Sequence, residues 1–264
     1  MHKESLQKAW EESDKAPFLW ILRSTAGEDL GEVLAGREDW RRAFDSENKE
    51  KVLICSDERV MPAAGEFKVG IAGQLILCSQ EEQAEFVENY RGKIKVVRSH
   101  SGCGAAGVAY EKLSAEEREK YQDGDGPADE YGKLFSANLA ERLDARFEHL
   151  PFSGMRGSNG FHDARMIFWS TDPAFDPSEL VGKFLPPHFL ANGLAFGLGE
   201  GYAQEELKIL TDIALGHHGF GELFNDRNPF YVISIGRDAK NLNKIAKETL
   251  GGFGDRVSFK YFRA

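Results

Sequence analysis

Two short stretches of the 264-residue sequence carry side chains of the kind that bind a soft metal: Cys55-Ser56-Asp57-Glu58-Arg59 and His100-Ser101-Gly102-Cys103-Gly104. Two thiolates and an imidazole are a good zinc set, and three protein ligands leave the fourth tetrahedral position for water or substrate. The His-x-x-Cys spacing lets His100 and Cys103 converge from one turn, with Gly102 and Gly104 relieving crowding. A helix beginning there would set its positive end near the Cys103 thiolate. If the backbone stays extended past Cys55, positions 55, 57 and 59 share one face. The Asp57 carboxylate can then accept a hydrogen bond from a metal-held water or coordinate the metal itself, and Arg59 can hold it bidentately in the first role. Blander readings stand beside this one. Cys55 can be a buried strand-end thiol, Asp57 can close a purely structural zinc site as fourth ligand, and Asp57 with Arg59 can be a salt bridge that ties down the chain.

The elements around these residues read as α/β. Short apolar runs at 51–55, 66–71, 74–78, 93–97, 164–170, 230–235 and 256–262 predict buried strands. Helical spacing marks 81–90, 105–113, 130–149, 205–215 and 242–250. Cys55 falls at the end of one strand, and His100 and Cys103 at the end of another and the glycine turn beyond it, where open parallel sheets form their sites. The alternation predicts one mostly parallel sheet flanked by helices on both faces. No internal repeat is visible. The expected organisation is an N-terminal helical arm over 1–45, a zinc-binding core over 46–180, and a C-terminal α/β extension over 181–264 packed on the core, with a single domain made of all three as the alternative.

Composition narrows the function classes. With 41% hydrophobic and 29% charged residues the chain is globular rather than disordered. A formal charge of −10 argues against a nucleic-acid partner. No apolar run is long enough to span a bilayer, and the polar start Met1-His2-Lys3-Glu4-Ser5-Leu6 lacks a signal-peptide core, so no membrane partner and a cytoplasmic location are expected. Three cysteines cannot build a disulfide framework.

The two motifs resemble those of the β-class carbonic anhydrases, Cys-x-Asp-x-Arg followed by His-x-x-Cys. The weaker likeness runs from about residue 43 to 180, roughly half the chain. The resemblance implies Zn2+ on Cys55, His100 and Cys103, Asp57 and Arg59 as the catalytic dyad, and hydration of carbon dioxide to bicarbonate by a zinc-held hydroxide. It also implies at least a homodimer, with the pocket completed near the subunit interface and the N-terminal segment packed on the partner. Three departures stand out. Only 45 positions separate Cys55 from His100, with the shortening between Met61 and Glu66; Glu58 replaces the usual Ser; and Gly70-Ile71 replace the usual Arg-Asn before Ala72-Gly73. Altered walls keep open hydrolysis of a related linear substrate, carbon disulfide or carbonyl sulfide. A catalytically silent zinc module that binds a partner through 181–264 is the non-enzymatic alternative.

Other candidates carry less. Cys78 ends an apolar run and reads as core, His217-His218 as loop residues, and Gly197-Leu198-Gly199-Glu200-Gly201 as a turn whose spacing misses the dinucleotide fingerprint. None of His149, His162, His188, His217 or His218 can be assigned from sequence as the carrier of the released proton.

Overall fold

The computed structural model describes residues 2–121, 126–157, 161–217 and 219–264. Four helices come first: α1 (His2–Asp14), α2 (Pro17–Ser24), α3 (Gly31–Leu34) and α4 (Glu38–Arg41). The first sheet contains β1 (Glu50–Ile54), β2 (Glu66–Gly70), β3 (Ile94–His100) and β4 (Arg146–Leu150). Helix α5 (Gln80–Tyr90) connects β2 to β3, and α6 (Gly104–Glu111), α7 (Ala115–Arg118) and α8 (Pro127–Leu143) lie between β3 and β4. The second sheet contains β5 (Met166–Ser170), β6 (His188–Ala191), β7 (Phe230–Ile235) and β8 (Val257–Phe262), with α9 (Glu200–Leu215) before β7 and α10 (Ala239–Leu250) after it.

The protein is therefore α/β, with two four-stranded sheets, all of whose pairings are parallel, packed with helices. The expectation of one sheet is corrected. An apolar run marks a strand as buried but does not say which strands pair with it. The strand expected over 164–170 pairs with β6 and β7, so the second sheet begins upstream of the boundary placed at 180.

Strand order shows a regularity that the sequence hides. The sheets run β2-β1-β3-β4 and β6-β5-β7-β8, so each half lays its second strand on one side of its first and its third and fourth on the other. A helix precedes and follows the third strand in both. The strand-end thiol and imidazole of the first half have no counterpart, since the β5 end and the β7–α10 turn contain neither Cys nor His.

Local departures have local causes. The helix expected over 130–149 ends at Leu143, where Asp144 takes a left-handed φ of 56°, and the chain enters β4. The strand expected over 74–78 is replaced by a turn in which Gly73, Gln74 and Leu75 have φ of 58°, 51° and 77°. Strand β6, only four residues long and preceded by Pro186-Pro187, gave no signal long enough to read. Of the polar stretch 116–129, Ala115–Arg118 forms one helical turn with a Ser114 capping box, and 122–125 lie outside the described residues.

The second sheet is buried on both faces. Ile167, Trp169, Phe189 and Val232 pack against α9 and α10. On the opposite face Phe168, Leu190, Tyr231 and Ile233 meet the N-terminal arm through Phe18, Leu19, Leu34 and Trp40. Arg165 anchors the arm further, with its guanidinium 3.5 Å from the Trp10 ring centroid and a 2.8 Å hydrogen bond to Ser13. In the first sheet, Leu53, Phe67, Val69 and Val97 pack against α5 and α8, while Val52, Ile54 and Val96 on the other face meet Met155. Among the described residues no helix is long and apolar enough to cross a membrane.

Candidate metal centre

Strands β1 and β3 are neighbours, and their C-terminal ends carry the donors. Cys55 follows β1 directly, His100 is the last residue of β3, and Cys103 is the N-cap of α6. Gly102, at φ 68°, turns the chain between His100 and Cys103, and a Cβ there would strike the Phe152 ring at 2.6 Å. Its N–H donates to Asp129 at 2.8 Å.

The three donor atoms lie within 4.8 Å of one another and are buried. Cys55 Sγ and Cys103 Sγ are 3.9 Å apart. Two thiolates on a tetrahedral zinc, each bonded at about 2.3 Å, would sit about 3.8 Å apart. His100 Nδ1 faces the Ser101 carbonyl at 3.0 Å, which places the ring proton there and leaves the Nε2 lone pair toward the thiols. That buried Nε2 has no hydrogen-bond partner, the condition a metal ligand satisfies. With Cys55 as the donor between the thiols, that hydrogen bond holds Cys103 below its ordinary value, against burial and with help from the Ala106 and Ala105 N–H groups at the α6 N-terminus. Cys55 is pushed up by Cys103 and by burial. A dication would replace that proton, and the donor set fits zinc.

Asp57 and Arg59 form a closed pair beside this cluster. Arg59 donates from Nε to Asp57 Oδ1 at 3.0 Å and from its terminal nitrogen to Oδ2 at 2.7 Å, and its backbone N–H reaches Oδ1 at 2.8 Å. Burial opposes the charge, but His162, the Arg59 fork and His100 hold the Asp57 carboxyl well below the usual carboxylate range. Asp57 Oδ2 lies 3.9 Å from His100 Nε2, so the carboxylate borders the metal position while both its oxygens are engaged by Arg59.

Several residues that sequence reasoning passed over build the surroundings. Lys68, buried in β2, donates from Nζ to the carbonyls of Asp57 at 2.8 Å and Val60 at 2.9 Å, fixing the loop after Cys55. Glu206 of α9 accepts on Oε1 from Ser56 Oγ at 2.5 Å and from the Ala72 N–H at 2.6 Å, and burial pushes its carboxyl up to about 7. The Gly73 N–H, one residue beyond Ala72, approaches Cys55 Sγ at 3.4 Å. The faint signal for Glu206 was its place in the apolar stripe Tyr202, Ala203, Leu207, Leu210 of α9, and for Lys68 its place between Phe67 and Val69.

The departures from the resemblance also find physical reasons. Strand β6 docks on the ends of β1 and β2: Leu190 N–H donates to the Ser56 carbonyl at 3.1 Å, Asn192 N–H to the Gly70 carbonyl at 3.1 Å, and Gly70 N–H to Asn192 Oδ1 at 2.8 Å. A Cβ on Gly70 would lie 2.2 Å from the Leu190 carbonyl oxygen, so only glycine fits. Glu58 turns to His162, whose Nδ1 lies 3.0 and 3.1 Å from its two carboxylate oxygens.

The remaining candidates fall elsewhere. Cys78 is buried in the core under α5 and α8. His149 meets Ser99 Oγ at 2.9 Å, and His188 is buried against Phe168, where burial pushes it down to about 3. Gly197 and Gly199 form the turn into α9. His217 lies in the loop after α9, and His218 is outside the described residues. No family model, curated protein or solved structure matches the chain.

Proposed function

We propose that the protein is a zinc enzyme of the β-carbonic-anhydrase type that hydrates carbon dioxide to bicarbonate and a proton. The observation that carries this reading is the convergence of Cys55, Cys103 and the unpartnered His100 Nε2 beside an Asp57 clamped by Arg59. A zinc ion held there would acidify water and supply a nucleophile near neutral pH. In this proposal Asp57 accepts the hydrogen bond of the attacking water and orients it toward carbon dioxide. Arg59 keeps Asp57 from closing the site, and Lys68 fixes the loop that carries both.

The test is stopped-flow hydration of carbon dioxide between about pH 6.5 and 9, on protein of verified zinc content, with Cys103→Ser as the blank. Turnover that disappears in the blank is expected. A zinc-replete protein no faster than the blank at every pH sinks the reaction, and carbonyl sulfide hydrolysis is then the next assay, because the wall at Gly70 is filled by β6. Azide binding separates an open metal from a closed, silent one.

A further inference from the structure

We propose that His162, paired with Glu58, is the relay that carries the proton released by hydration from the site to solvent. The inference rests on the hydration reading above. His162 is nine-tenths buried, with Nδ1 on Glu58 and 3.9 Å from Asp57 Oδ1. That gap closes with a small rotation of the ring or one bridging water. Around the ring stand Glu58, Asp57 and Arg59 from the β1–β2 loop, Arg156 and Asp163 from its own segment, and the Phe189 ring of β6. Asp163 N–H donates to Glu58 Oε1 at 3.1 Å, so the carboxylate is fixed before the proton arrives.

A carboxylate and an imidazole buried together gain little net stability from their charges, because desolvation offsets the attraction. Their position beside Asp57 gives them a use. For each carbon dioxide hydrated, one O–H bond of the attacking water breaks and its electron pair stays on the oxygen that bonds carbon. By way of the Asp57 carboxylate that holds the water, the proton passes to His162 Nδ1, which is bare in the neutral ring, and forms an N–H bond there; the imidazolium is stabilised by Glu58 until a buffer base in solvent takes a proton from the ring. Burial works against that imidazolium, and the Glu58 charge overrides it, holding His162 above its ordinary value. Burial lifts Glu58 in turn, helped by the Asp57 and Asp163 charges and offset by His162.

The experiment has two readouts. First, 15N shifts of the His162 ring are followed against pH without substrate, in the zinc-loaded wild type and in Glu58→Gln. The wild-type ring stays protonated above the ordinary imidazole value of about 6.5, and Glu58→Gln releases its proton at lower pH. Second, hydration is measured in dilute and concentrated buffer. In dilute buffer His162→Ala loses kcat by roughly ten- to a hundredfold while kcat/KM falls far less, and added imidazole restores kcat. His162→Gln, which preserves size and polarity, behaves as His162→Ala does. A ring already neutral at its ordinary value, or a His162→Ala kcat that is unchanged in dilute buffer, overturns the relay alone. An inactive wild-type protein overturns the hydration reading and the relay with it.

Discussion

Arg59 commits three donors to Asp57, and both side chains are about one-twentieth exposed. Such a pair is retained for geometry more than for stability, because desolvation offsets much of its Coulomb gain. Removing the guanidinium leaves a buried carboxylate with His162 and His100 each 3.9 Å from one of its oxygens and, in the zinc reading, a vacant ligand position on the metal within reach. In Arg59→Ala, Asp57 is expected to move onto zinc, adding an oxygen to the X-ray absorption shell and lowering hydration by about a hundredfold or more; unchanged zinc geometry with full activity would refute the clamped-acceptor role. The ligands themselves were legible because Cys55, His100 and Cys103 sit in two pentapeptides whose spacing is their own signal. Glu206 and His162 were not, since each reaches the site across more than a hundred residues of chain.

Helix α9 places a carboxylate where the first sheet meets the second. Glu206 Oε1 satisfies two donors, but Oε2 is buried with no hydrogen-bond partner. Its folded value of about 7 lies above that of an unfolded glutamate. The folded state therefore holds this proton more tightly, and the group's contribution to stability falls as pH rises from about 4.5 to 7. Glu206→Gln keeps a carbonyl acceptor and removes that cost. Its unfolding free energy relative to wild type should rise across this window and level off above it, by roughly 3 kcal/mol. Urea titrations at a series of pH values read the difference, and a flat difference would mean that Glu206 is not held protonated. Element types were largely legible, as the exact match of β7 shows. One failure came where a period of 3.6 and a period of 2 coincide: Leu139, Leu143 and Phe147 share a helical spacing, although Phe147 already lies in β4.

On the scale of the whole molecule, the ends of β1 and β2 beside the candidate site are held by the second sheet. Gly70 and the β6 backbone are in such close approach that a side chain at position 70 must force the halves apart. Gly70→Val is expected to destabilise the protein by at least about 2 kcal/mol and to weaken zinc retention against a chelator, because Leu190 and Asn192 then lose their bonds at the ends of β1 and β2. Wild-type zinc retention in this variant would detach the metal site from the second sheet. The two-sheet design was the part least visible in the sequence, where the halves share strand order but no motif.

The seating of the N-terminal arm imposes an order on biosynthesis. Phe18, Leu19 and Trp40 are buried in a cluster that the second half of the chain completes, from Phe168, Phe175 and Phe184 to Tyr231 and Phe262. A ribosome adding about 5–20 residues per second needs roughly 10–45 s to travel from the arm to the last of them. Throughout that interval the nascent chain presents an unsheltered aromatic segment, so yield in a cell should depend on chaperone supply more steeply than equilibrium stability would suggest.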